Sequence, residues 1–191
     1  DIINLSLGGE GFSQVAQDLY REVREAGILL VASAGNESSD TPSYPAAYDG
    51  VIAVAAVDAQ REAAGYSNFG PHIDIAAPGG DTSADLTGDG FPDGILSTGR
   101  SSEDFAYTFL QGTSMAAPHV SGILALMKSI NPALSPAAVD RLMQDGELTT
   151  ELGAGGRDDR FGYGLANAAR AVNAALRSTG AAVEEPREVT A

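Results

Sequence analysis

An α/β fold built around a mainly parallel sheet is predicted by two features of this sequence. The runs 28–32 and 51–57 are short and continuously apolar, as strands buried on both faces of a parallel sheet are. Ahead of the first run lie a strand-like stretch, residues 1–7, and a segment of helical periodicity from Val15. Strand, helix and strand within about 33 residues make one βαβ unit.

Composition bounds the rest. A length of 191 residues suits one domain with a sizeable core, and 43% hydrophobic residues place it among globular chains. The 26 acidic against 11 basic side chains leave a net charge of −15, which disfavours nucleic acid and anionic membranes as partners and favours bound cations. With no cysteine, disulfide and thiol chemistry are excluded. No apolar run reaches the length of a membrane span. Residues 1–7 read as a strand already under way, so the chain is expected to start inside a domain.

Taken in order, Gly8-Gly9 end the first strand. Ser13 is the expected N-cap of the first helix and Gly27 its C′ residue, with Val15, Leu19, Val23 and Ala26 on one face. The second strand runs into Ser33-Ala34-Gly35-Asn36-Glu37, and chemistry in parallel α/β sheets gathers at such C-terminal strand ends. Asn36 there either aims its amide at a developing oxyanion or is a turn asparagine following glycine. The stretch 73–79 is a short strand ending at Pro-Gly, and residues 95–98 read as a strand leading into a flexible Gly-Ser stretch.

Asp85, Thr87, Asp89 and Asp93 place side-chain oxygens at relative positions 1, 3, 5 and 9, with Gly90 at position 6. That is the opening of an EF-hand-type calcium loop. Position 12 is Leu96, so a further ligand is needed, from Asp81 or Glu103. The alternative is a solvated acidic turn. Further on, Ser135-Pro136 starts a helix with Val139, Leu142 and Met143 inward. Leu165, Ala169, Val172 and Leu176 give the last helix its face, and residues 179–191 read as a tail or linker.

The most informative stretch is 112–122, Gly-Thr-Ser-Met-Ala-Ala-Pro-His-Val-Ser-Gly, which leads into an apolar run. It sets Ser114 at the mouth of a helix expected to be buried on nearly every side, where backbone N–H groups are free and the dipole favours negative charge. An acyl hydrolase elbow, Gly-x-Ser-x-Gly, is excluded because Ala116 stands at the second glycine.

This string resembles the nucleophile motif of the subtilisin-like serine proteases. The resemblance covers nearly all of residues 1–178 and implies a three-layer α/β/α fold, incomplete in this chain, that is the C-terminal portion of a catalytic domain. It implies that Ser114 is the nucleophile and Asn36 the oxyanion donor, with Thr113 supporting the oxyanion side. Ser6-Leu7-Gly8 resembles the strand that pairs with extended substrate, and Ala32-Ser33-Ala34-Gly35 a wall of the primary specificity pocket. Glu37 falls near that pocket's mouth and should disfavour acidic side chains, leaving a preference for large apolar or aromatic residues with basic ones tolerated. Tyr44-Pro45 resembles a cis X-Pro site. Structural calcium and an extracellular location are also implied, and Asp74 with carbonyls near Ala46, Tyr48 and Val51 resembles a weaker cation site.

A hydroxyl nucleophile needs a base, and only His72 and His119 are present. His119 lies five residues beyond Ser114, about 500° or roughly 140° around the helix, on the wrong face. His72, in a Gly-Pro-His turn, is expected to face solvent. In the family the order is Asp, His, Ser. The catalytic Asp and His are therefore expected from an N-terminal portion of the same domain, which becomes the required partner, with peptide or protein as substrate. The alternative is a catalytically silent, calcium-binding or regulatory module.

Overall fold

The computed structural model describes residues 1–100 and 104–180. Glu103 and most of the expected tail, from 181 onward, lie outside the described residues. The strands β1 (Ile2–Leu5), β2 (Leu29–Ser33), β3 (Val51–Val57), β4 (Ile75–Pro78), β7 (Thr149–Thr150) and β8 (Leu165–Ala166) form one sheet in the order β1-β2-β3-β4-β8-β7. All neighbours in it are parallel except β7 with β8. Among the described residues, four helices join it: α1 (Gln14–Glu25), α2 (Thr113–Ile130), α3 (Pro136–Gln144) and α4 (Ala168–Ser178).

The continuous apolar runs have a plain cause. Successive strand side chains point to opposite faces. Leu29, Val31, Ile52 and Val54 join the core beneath α2, α3 and α4. Their neighbours Leu30, Ala32, Val51 and Ala53 pack with Ala16, Tyr20 and Val23 of α1 on the other side. Both faces are dry, so neither register position tolerates a polar residue, and three layers result. Fully burying a leucine such as Leu29 or Leu30 contributes about 1.5–3 kcal/mol relative to leaving it exposed.

The expected caps are present. Ser13 accepts from the Ala16 N–H at 3.4 Å, Ser135 from the Ala138 N–H at 3.2 Å, and Gly27 takes φ 83° after α1. The Tyr44-Pro45 peptide is cis. Four expectations are corrected. On α1, Val15 is 80% and Leu19 57% exposed, because the inward face is the Ala16, Tyr20 and Val23 side. There the buried Gln17 exchanges hydrogen bonds with the Asp49 backbone at 2.9 and 3.2 Å. Second, α4 meets α2 through Ala171, Ala174 and Ala175, since close helix approach needs small residues, and Ala169 faces out. Third, α2 is buried on one side only: Ala116, Ala117, Val120, Leu124 and Met127 face the sheet while Pro118, His119, Gly122 and Leu126 are exposed. Fourth, the strand expected at 95–98 extends as β5 (Ile95–Arg100) and pairs antiparallel with a second strand, β6 (Phe105–Leu110), while Ser101 and Ser102 of the expected flexible stretch lie outside the described residues. This second strand carries the alternating Phe105, Tyr107 and Phe109 that mark a pleated surface.

Among the described residues, one edge of the sheet is open: β1 pairs only with β2, and Ile3, Phe12, Val15 and Leu19 are exposed on β1, α1 and the segment between them. An edge of this kind invites pairing with further chain.

Just before β4, the Asp74 carboxylate accepts the Ala53 N–H at 2.8 Å, and burial pushes its pKa up to about 6. A raised carboxyl pKa means the folded state holds the proton more tightly than the unfolded chain. In chelated buffer, stability is therefore expected to fall as pH rises from about 4 to about 6, and Asp74→Asn should remove that slope. Urea unfolding across this range measures both.

Candidate active site

Ser114 is held at the start of α2 by a turn that only glycine accepts without strain. Gly112 has φ 142°, and its N–H reaches the Gly79 carbonyl at 3.0 Å and the Tyr66 hydroxyl at 3.1 Å. Tyr66 in turn donates to the Gly80 carbonyl at 2.8 Å. Burial pushes the Tyr66 phenol up to about 12, so it stays a neutral donor at any working pH. The end of β4 and the start of α2 are thereby locked together.

The first-turn donors are then distributed unevenly. The Thr113 N–H donates to Asn36 Oδ1 at 2.9 Å, and the Thr113 hydroxyl lies 3.0 Å from the same oxygen. That hydroxyl also accepts the Gly35 N–H at 3.1 Å and lies 3.2 Å from the Gly35 carbonyl. Met115 and Ala116 N–H groups turn back to the Gly112 carbonyl. Among the described residues, the Ser114 N–H is left without a partner. So is Asn36 Nδ2, because both donors from Thr113 fix the amide with its oxygen inward. Two free N–H donors and the Ser114 hydroxyl border one cavity of about 210 Å³.

A proline in the second turn of α2 serves the same site. Pro118 has no N–H to offer the Ser114 carbonyl four residues earlier. The Ser6 hydroxyl donates to that carbonyl instead, at 2.8 Å, and the Ser114 hydroxyl lies 3.5 Å from the Ser6 carbonyl. The stretch after β1 and Ser114 are thus directly bonded.

Of the residues expected around the pocket, Leu7, Gly8, Ser33, Gly35, Asn36 and Ser114 line the cavity together with Glu37. Ser6 and Thr113 stand behind them as hydrogen-bond partners. Ala32 and Ala34 are fully buried and point into the cores beneath the wall, since strand alternation leaves only Ser33 facing the cavity. Sequence reasoning did not single out Ser43, Ser39 or Asn68, which also line it. Asn68 is buried at 2% exposure, and its only sequence signal is a Ser-Asn-Phe-Gly turn far from the motif.

Neither histidine serves Ser114. His119 Nδ1 bonds the Met115 carbonyl at 2.8 Å along α2, as its helical phase requires. His72 is corrected: both ring nitrogens are buried without hydrogen-bond partners, and desolvation followed by the Arg157 charge holds its pKa below the usual imidazole value. It borders an open cavity with Ala46, Tyr48, Val51 and Asp74.

The acidic loop is closed by its own backbone. Asp85 accepts N–H groups of Gly88, Asp89 and Gly90 at 2.7, 3.1 and 3.0 Å, and Asp89 accepts that of Phe91 at 2.9 Å. Thr87 Oγ1 lies 2.8 Å from Asp93 and 3.5 Å from Asp85. Asp81 is engaged by Ser83, whose hydroxyl and N–H hold its carboxyl below the usual range. No group of three His, Cys, Asp or Glu poised for a metal forms among the described residues.

Residues 1–164 match the protein-family model described as the subtilase family, peptidase S8. The thermostable alkaline protease of Halalkalibacterium halodurans is 38% identical over 170 residues, 89% of this chain and 41% of that protein. The extracellular protease of Xanthomonas campestris pv. campestris is 39% identical over 179 residues, 92% of this chain and 29% of that protein. A solved structure described as proteases from Pseudoalteromonas arctica superposes with a TM-score of 0.80 at 37% identity, covering 92% of this chain and 51% of that one. The chain thus spans about half, or less, of the length of these proteins.

Thr113→Val preserves volume but leaves the Gly35 N–H without its acceptor. It is expected to cost about 1–3 kcal/mol of stability, read from denaturant midpoints.

Proposed function

The chain belongs to the subtilase family, and from that premise we propose that it supplies the nucleophile half of a serine endopeptidase site. The observation that carries this reading is the pair of unspent donors, Ser114 N–H and Asn36 Nδ2, beside the Ser114 hydroxyl. Ser114 Oγ attacks the peptide carbonyl carbon while a histidine from the rest of the domain takes its proton. The carbonyl oxygen becomes an oxyanion held by the two donors. Collapse breaks the C–N bond, the histidine returns its proton to the leaving amine, and water then releases the acyl group from Ser114. A donor set fixed in place before charge develops costs no reorganisation, which makes this contribution large.

The required partner is the portion of the same catalytic domain that carries Asp and His. Its supports are that neither His72 nor His119 meets Ser114, and that β1 pairs only with β2 among the described residues, beside exposed Ile3, Phe12, Val15 and Leu19. The substrate is an extended polypeptide paired along Ser6-Leu7-Gly8, with a large apolar or aromatic side chain in the cavity. Glu37 at the cavity wall opposes acidic side chains. The names of the relatives support action outside the cell.

We also propose that the acidic loop binds calcium. The side-chain oxygens of Asp85, Thr87 and Asp93 converge, while Asp89 is turned to the Phe91 N–H. Calcium takes about six to eight oxygens, so waters and loop carbonyls complete the shell, and Asp93 and Asp85 exchange hydrogen bonds for the ion.

Five measurements test these readings. In the complete catalytic domain, Ser114→Ala should abolish peptide anilide cleavage. Asn36→Ala should lower kcat by about 10²–10³ with little change in KM, the magnitude known for the oxyanion asparagine of subtilisin, the reference case for one such donor. Residues 1–191 alone should show no turnover, and Ser114-dependent activity in that fragment would refute the need for a partner segment. Cleavage after Phe should exceed cleavage after Asp by at least about tenfold. Calcium should raise the melting temperature, and Asp85→Asn should remove that rise; an unchanged rise would place the ion elsewhere.

A further inference from the structure

We infer that Asn68 is the positioning residue for the oxyanion donor, a buried amide through which the β3 side of the sheet dictates where Asn36 points. The inference rests on the serine hydrolase reading above. Asn68 is 2% exposed, and its side chain spends its full hydrogen-bonding capacity on one loop. Its oxygen accepts the Glu37 N–H at 2.9 Å and the Ser39 N–H at 3.2 Å. Its nitrogen donates to the Ala34 carbonyl at 3.1 Å and to Glu37 Oε2 at 2.9 Å. Its own backbone N–H reaches the Gly35 carbonyl at 3.1 Å. Residues 34, 37 and 39 are therefore tied to one side chain and residue 35 to the backbone of the same residue, and residue 36 lies in their midst.

Asn36 is reached through Glu37. The same Oε2 that accepts the Asn68 Nδ2–H also accepts the Asn36 N–H at 2.8 Å. Thr113 fixes the Asn36 amide, and the Asn68–Glu37 pair fixes the Asn36 main chain. The clamp also explains Gly35. With φ 109°, a Cβ there would stand 2.2 Å from Asn68 Nδ2 and 2.6 Å from Glu37 Oε2, so only glycine lets the clamp close. The far end is anchored by Ser67, which donates to the Asn68 carbonyl at 3.1 Å and accepts the Ala56 N–H of β3 at 3.0 Å. An unbroken chain of hydrogen bonds thus runs from the sheet centre to the oxyanion donor. Asn68 itself touches no reacting atom in this scheme.

The test is a double-mutant cycle in the complete catalytic domain, using a peptide anilide with Phe at the scissile position. Asn68→Ala and, at the less buried end of the clamp, Glu37→Ala are each expected to lower kcat about tenfold or more while KM stays within about twofold, because a misplaced donor weakens only the transition state. In the Asn36→Ala background the same changes should cost almost nothing further. Thermal melts report folding, and Glu37→Ala decides the matter if Asn68→Ala does not fold. Loss appearing in KM rather than kcat, or the full kcat loss persisting without Asn36, would overturn the inference. A parent domain with no Ser114-dependent turnover would instead sink the hydrolase reading, and the inference with it.

Discussion

The structure around the site depends on one junction, the pair of bonds from Thr113 to Asn36 Oδ1. A side-chain amide has two ends of similar shape and opposite chemistry. Satisfying its oxygen twice leaves the nitrogen as the end available to a ligand. Thr113 is fully buried, so these bonds form in a dry environment where an unmade bond is costly and the orientation is strongly held. The same residue ties α2 to the end of β2. Ser114 on a helix and Asn36 on a loop thus become parts of one rigid body.

That rigidity is inherited from the sheet. β2 and β4 deliver Asn36 and Gly79-Gly80 from their C-terminal ends, and Ser67, bonded to Ala56 of β3, sets Asn68 beside Asn36. Tyr66, Thr113 and Ser6 then bind the start of α2 to the ends of β4, β2 and β1. Pro118 contributes by omission: without its N–H, the Ser114 carbonyl is free for the Ser6 hydroxyl. A residue that normally weakens a helix here frees an acceptor that joins the helix to the stretch after β1.

The apolar margin along β1 and α1 belongs with this picture. Val15 and Leu19 have the spacing of an inward helix face and yet lie in solvent. Periodicity reports that a face is to be buried, and the partner that buries it is a separate matter. In the proposed reading, the segment that supplies a base for Ser114 also covers this margin.

Much of this was legible in the residues alone. The strands β2 and β3, the Ser13 and Ser135 caps, the Gly27 stop and the residue types at 36 and 114 are local matters, set by propensity, periodicity and a contiguous motif. What the tertiary structure decided is who lies opposite whom. Asn68 is 31 residues from Glu37 along the chain and gives no local sign of its task, and Ser6 meets Ser114 across 108 residues. Likewise, only packing reveals that α4 turns its alanines to α2, that Ala32 and Ala34 look away from the pocket, and that His72 is enclosed. A one-dimensional pattern encodes what each residue prefers near its neighbours in sequence, whereas hydrogen-bond partners of buried polar groups are chosen by the folded backbone, which brings distant segments within 3 Å.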